Sequence, residues 1–397
     1  MTDNFFPRVW SIVWKGRSVT RGVLAEFIYK RLFIQGAEKM VMTIPTENIG
    51  SIPRPQKLVD AYQQFRRGQL DRASLEEMAL EAIRETIQRL EETGSPCVSD
   101  GEQLKFDGFA SYCLHGATNL ASDGVEIVFS DGHSRFLPRL TRGPFRYQQG
   151  ADRFLEVAQK LAQVPVKQAV ISPSAISLLY PQGGIENYSR GQFIKDVLSE
   201  HAAEIGRCLS LGAHKVQIDF TEGRLSLKLD PSGELLQGMV DLINQGLSDF
   251  TDAQRQRLGV HTCPGSDRDA THSADVDYKD LLPTLFRIDV GNFYIAMASE
   301  KDPEKSLRII KTLLRPGLRV FIGVIDPIDP KIESPELVRD RVLQALRFIP
   351  PDQLGTCDDC GFSPFVDDAS TSREIAFEKI RARVIGTRMA AAAFDKR

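Results

Sequence analysis

Residues 215–227 read KVQIDFTEGRLSL, a short β-favouring segment (215–220) that ends in an acid, Asp219, and breaks into the polar turn Thr221-Glu222-Gly223-Arg224. Short β-favouring segments recur at 47–51, 97–101, 167–172, 259–262, 293–298, 319–325 and 354–357, which makes eight candidate strands. Helical patterns lie between them at 75–93, 151–164, 194–212, 304–314 and 334–348. In the first, LEEMALEAIRETIQRLEET, apolar residues return at three- and four-residue steps. Ser334 followed by Pro335 is a helix start, with serine as the N-cap and proline at the first helical position. Eight alternating units predict an α/β fold, a (β/α)8 TIM barrel. A doubly wound sheet fits less well, because no G-x-G-x-x-G follows the first segment. Residues 103–150 depart from the pattern and read as a β-rich insertion after the second strand–helix unit.

In such a barrel the chemistry sits at the C-terminal strand ends. There the sequence places Ile49-Gly50-Ser51, Asp100-Gly101-Glu102-Gln103, Asp219, the pair His261 and Cys263, Asp326, and the Cys357–Cys360 run. Polar groups from chain-distant segments therefore converge on one face. Imidazole with soft thiolate is a zinc set, and zinc held by three protein ligands keeps a fourth position for substrate. A thiol entering there loses its proton near neutral pH. Cys357 and Cys360 compete for one place in the set. Cys360 precedes Gly361 and is free to turn inward, so it is the expected ligand and Cys357 a neighbour. Cys97, Cys113 and Cys208 stand in apolar surroundings and read as core residues, and His272 as a loop histidine near the site.

Composition narrows the class. A net charge of −3 over 397 residues carries no basic footprint for nucleic acid. Six unevenly spaced cysteines do not form a disulfide framework, and reduced thiols predict a cytoplasmic protein. Residues 1–42 read as an N-terminal extension and 43–397 as the barrel. The first 40 residues hold seven Lys or Arg against three acids, without the continuous apolar run of a membrane span or signal peptide.

Six strings, ENIGSIPRP (47–55), SDGEQ (99–103), VQIDFTEGRLSL (216–227), GVHTCPG (259–265), GVIDP (323–327) and DDCGF (358–362), occur in the order of one family. Through them the chain resembles the cobalamin-independent methionine synthases, specifically their C-terminal zinc barrel. The resemblance implies zinc on His261, Cys263 and Cys360. It implies that the loop of Ile49 and Ser51 holds the carboxylate of homocysteine, that Glu102 and Asp219 hold its ammonium, and that Tyr180 lies against a folate-type methyl donor.

Two features depart from the family pattern. The glutamate that ligates zinc falls at Ala296 or Met297, in YIAMAS, with Glu300 a few residues on. The histidine after GVxD is replaced by Pro327-Ile328-Asp329, leaving Asp326, Asp359 or water to protonate the leaving group. The HTCPG and DDCGF strings also resemble the branch containing epoxyalkane:coenzyme M transferases. The expected activity is zinc-dependent methyl transfer to homocysteine. The alternative is alkylation of another small thiol, as in epoxide opening.

Overall fold

Residues 42–106 and 108–396 are described by the computed structural model; the expected extension, residues 1–42, lies outside them apart from Met42. Six strands make one parallel sheet: β1 (Gln168–Ile171), β2 (Val216–Asp219), β3 (Leu258–Thr262), β4 (Asn292–Ile295), β5 (Arg319–Ile325) and β6 (Leu354–Asp358). Each pairs with its neighbour in chain order. Every residue of β1 to β4 and β6 is buried, as a sheet covered on both faces requires.

The other two expected strands, 47–51 and 97–101, are extended staves joined at single points. Thr46 bridges Thr356 of β6, and Val98 bridges Val166 just before β1. The Ile52 amide donates to the Gly101 carbonyl at 3.1 Å, linking the two staves and bringing the barrel round. Regular ladders fail here for local reasons. Pro45, Pro53 and Pro55 lack N–H donors, and Gly101 takes a positive φ of 64°. Side chains supply the missing links instead: Asn48 donates to Ser99, and Ser99 donates to the Gly50 carbonyl.

Each strand or stave is followed by helix, among them Arg72–Glu92, Asp152–Leu161, Arg190–Ser210, Pro303–Leu313 and Pro335–Ala345. Ser334 caps the last, accepting from the Leu337 amide at 3.2 Å. The closing helix, Arg373–Phe394, was not visible as a pattern in the sequence. It buries charged residues as well as apolar ones, with Lys379 on Glu333 and Arg383 on Asp358, which blurs its periodicity. At the N-terminal end of the barrel, buried Glu47 accepts from Tyr294 Oη at 2.6 Å and pairs with Lys215 and Lys167. Removing one partner from such a buried set costs about 3–5 kcal/mol.

The insertion leaves the chain directly after the second stave and returns to helix Asp152–Leu161, so it sits inside that unit rather than after it. Its regular parts are two short antiparallel pairs, Leu120–Ala121 with Arg139–Leu140 and Glu126–Val128 with Ser134–Phe136. As a strand-to-helix loop it lies over the C-terminal mouth. The Phe109 amide donates to Pro364 and the Ser130 amide to Thr271, tying it to the loops after β6 and β3. Among the described residues no helix is long and apolar enough to cross a membrane.

Candidate metal centre

Strand β3 ends by presenting His261 into the mouth, and Cys263 follows it. The turn after β6 brings Cys360 opposite. The ligating atoms of these three buried residues lie within 4.8 Å of one another. Cys263 Sγ donates to Cys360 Sγ at 3.2 Å, and both thiols are free. His261 Nδ1 faces Asp219 Oδ1 at 3.3 Å, the arrangement by which a ligating histidine is oriented through its other ring nitrogen. Gly361 lets the Cys360 turn approach the first stave, since a Cβ there would stand 2.1 Å from Ser51 Oγ. Two thiolates and an imidazole suit zinc, and the two thiols pack against the small, buried Ala296.

The electrostatics favour a cation. The Cys263 thiol beside it, against the cost of burial and with help from His261, holds Cys360 down to about 7. The Cys263 thiol, which supplies that bond, is pushed well above its ordinary value by it and by burial. Burial opposes a charged His261, yet the Asp219 bond and Cys360 outweigh it and raise the imidazole. Beside this set lie two buried carboxylates. Glu102 accepts from Lys105 Nζ at 2.8 Å, and Asp219 Oδ1 accepts from Gln217 at 2.7 Å.

Of the residues singled out from sequence, Ile49, Ser51, Glu102, Asp219, His261 and Cys360 share the wall of one cavity of about 70 Å³, with Cys263 buried behind it. Others stand elsewhere. Cys357 packs inside the barrel with Ile49, Tyr294 and Phe321, outside the metal-ligand group. Glu300 is taken by Arg224 at 2.8 Å, and Arg224 also stacks on Tyr278. Tyr180 is absent from the cavity wall. Its hydroxyl donates to the Tyr188 carbonyl and its ring packs on Phe193, so it fixes the 180–188 turn.

Asp326 and Asp359, expected as acids, are not on the cavity wall either. The Asp359 carboxylate accepts from the Met297, Ala298 and Ser299 amides and from Ser299 Oγ, all within 2.7–2.8 Å. Burial and the Asp326 charge push it up to about 6, but its oxygens are spent clamping the turn after β4. Asp326 accepts from the Ile328 amide and caps its own turn.

Sequence reasoning placed His272 near the site but missed the rest of the outer wall, Phe109, Ile127, Phe129 and Arg135 of the insertion with Phe365. Placing 103–150 inside the second unit, rather than after it, is the signal that finds them. Arg135 holds Asp267 through Nε and Nη2 at 2.5 and 2.9 Å and lies 4.2 Å over the Phe365 ring. His272 is buried, and burial with nearby Lys228 and Arg224 pulls it down to about 4, so it is neutral at pH 7.

Residues 44–373 match the family model described as the catalytic domain of cobalamin-independent synthase. The methionine synthase of Saccharolobus solfataricus is 22% identical over 352 residues, 87% of this chain and 94% of that protein. The 5-methyltetrahydropteroyltriglutamate–homocysteine methyltransferase of Trichodesmium erythraeum is 24% identical over 324 residues, 80% of this chain but 40% of that longer protein. Among solved structures, a B12-independent methionine synthase from a Shewanella species, in complex with selenomethionine, superposes with a TM-score of 0.71 at 19% identity. The match covers 89% of this chain and 99% of that one, and it shows a shared fold.

Proposed function

The chain belongs to the cobalamin-independent synthase catalytic-domain family, and from that premise we propose that it methylates homocysteine to methionine, using a 5-methyltetrahydrofolate-type donor and zinc. The observation that carries this reading is the buried His261–Cys263–Cys360 set lying on the same cavity as the Glu102 and Asp219 carboxylates. Zinc on these residues would supply acidity, lowering the pKa of a substrate thiol while leaving it nucleophilic. The chain's own groups do the rest. Glu102 and Asp219 receive the substrate ammonium, and the Ile49–Ser51 turn receives its carboxylate. The insertion covers the mouth with Phe109, Ile127 and Phe129, which keeps water from the reacting carbon. Holding both reactants in line is worth up to about 7–11 kcal/mol. A cytoplasmic setting keeps the six thiols reduced, and residues 43–397 are the working barrel.

The test is growth rescue of a methionine auxotroph, with X-ray absorption at the zinc edge on purified protein. Rescue, with one added sulfur neighbour on homocysteine binding, is the expected result. A zinc shell that admits no added thiol refutes catalysis. A second reading, alkylation of another small thiol as in epoxide opening, is favoured by the apolar residues Phe109, Ile127 and Phe129 of the outer wall. Failed rescue by zinc-loaded protein that still admits a thiol lacking the amino acid group selects it.

A further inference from the structure

An apolar groove of about 250 Å³ adjoins the cavity of the metal ligands, and the two share Phe109, Ile127, Thr221 and His272. Its other walls include Ile171, Leu178, Leu225 and Met239, and two carboxyl groups, exposed Glu126, which accepts from Ser134 Oγ, and buried Glu222. Glu222 is 6% exposed. Ser172 Oγ and Ser174 Oγ both donate to its Oε1, the latter at 2.6 Å. Its Oε2 is buried with no hydrogen-bond partner among the described residues. Two donors on one oxygen leave the other as the place for a proton. Burial raises the Glu222 pKa against the pull of the two serines, and the Asp219 charge adds to the rise.

Resting on the methyl-transfer reading, we propose that Glu222 Oε2 is the acid that protonates the leaving atom of an alkyl donor seated in this groove. The substrate thiol first gives its proton to water. Its sulfur then forms the S–C bond while the donor's C–N bond breaks, and the electron pair stays on nitrogen. Nitrogen takes the proton of Glu222 Oε2, and water returns one to the carboxylate, so protons balance over the cycle. An alkoxide oxygen, as from an epoxide, would take the proton in the same way. The assignment fills the place left when Asp326 and Asp359 turned out to serve turns. Ser172 and Ser174 are positioning residues for it.

Glu222→Gln keeps the shape and removes the acid. Equal zinc content and circular dichroism verify the fold. With 5-methyltetrahydrofolate as donor, kcat should fall about 10²- to 10⁴-fold, and the limb of the pH profile that falls as pH rises should vanish. With a methyl sulfonium donor, which leaves as a neutral thioether and needs no proton, kcat should stay within threefold. Infrared difference spectra should show a protonated carboxyl at pH 7 that the variant lacks. Equal slowing with both donors, or an ionised Glu222 at pH 7, overturns the proposal. Wild-type protein that transfers methyl from neither donor overturns the methyl-transfer reading and this proposal with it. That result is distinct from a variant that keeps pace with an active wild type.

Discussion

Arg135→Ala should loosen the roof of the cavity without unfolding the barrel. Arg135, with Ser130 and His133, is one of the points where the insertion grips the loop after β3. Its guanidinium bonds both oxygens of Asp267, whose side chain is 0% exposed, while that of Arg135 is 22% exposed. Breaking a buried pair costs about 3–5 kcal/mol because one charge stays behind unpaired. His133 Nε2 remains at 2.9 Å from Asp267 and offsets part of that loss, so the lower figure applies. The second carboxylate, Asp367, is 43% exposed and adds less than about 1 kcal/mol. A local cost of about 3 kcal/mol raises the opening equilibrium of the insertion by about 100-fold. Native-state hydrogen exchange should show that loss of protection over 126–136 and 266–272, with the strands of the central sheet unchanged. The KM for the alkyl donor should rise more than kcat falls. Unchanged protection in both segments would falsify the clamp, and uniform loss across the barrel would show that Arg135 supports global stability instead.

Cys360→Ser should abolish stoichiometric zinc binding while the far-ultraviolet circular dichroism of the barrel persists; a variant that still holds one equivalent sinks the ligand assignment. Glu102→Gln should raise the KM for homocysteine about 10- to 100-fold, the value of a charged hydrogen bond. The same variant should leave alkylation of a thiol without an ammonium group unchanged, and parallel losses for both thiols would contradict the assignment. Glu204, fully buried and bonded by Tyr112 and the Ala151 amide, is pushed by burial up to about 7. The unfolded carboxyl ionises near 4.5, so between that pH and about 7 the folded state holds the extra proton and stability falls as pH rises. The drop should reach about 3 kcal/mol, and Glu204→Gln should flatten it in urea titrations across that range.

The barrel was legible because eight β-favouring segments alternate with helical patterns, and the strand-end rule then gathers the polar residues of six of them on one face. That reasoning needs only the position of a residue along its strand, which period and composition mark well. It reaches Ile49, Ser51, Glu102, Asp219, His261 and Cys360, all of which line the same cavity. It fails where a side chain is claimed by a partner far away in sequence. Arg224 has Glu222 two residues off, yet its partner is Glu300, 76 residues on. Asp359 looks like a free acid beside a ligand, but three amides from the turn after β4 occupy it. Tyr180 is bound by its own turn, which no spacing announces. Reading 103–150 one helix late hides Phe109, Ile127, Phe129 and Arg135, the part of the outer wall that the insertion supplies.

Ala296 is buried beside the candidate ligands. It packs with Cys263 and Cys360, and it or Met297 stands where the resemblance places the family's glutamate. The carboxylate next along the chain, Glu300, is bound to Arg224, which is itself 2% exposed and fixed by the Val276 carbonyl and the Tyr278 ring. Freeing Glu300 would leave that guanidinium buried without its anion, a loss of several kcal/mol. Among the described residues no carboxylate joins the His261–Cys263–Cys360 group, and two thiolates would balance the two charges of a zinc ion. A third anionic ligand would make the centre negative and repel an incoming thiolate, whereas the balanced centre leaves that place to the substrate. The carboxylates that remain, Glu102 and Asp219, lie on the cavity wall to receive a cation. Charge thus divides the cavity between a place for sulfur and a place for ammonium, which is the division a thiol amino acid requires.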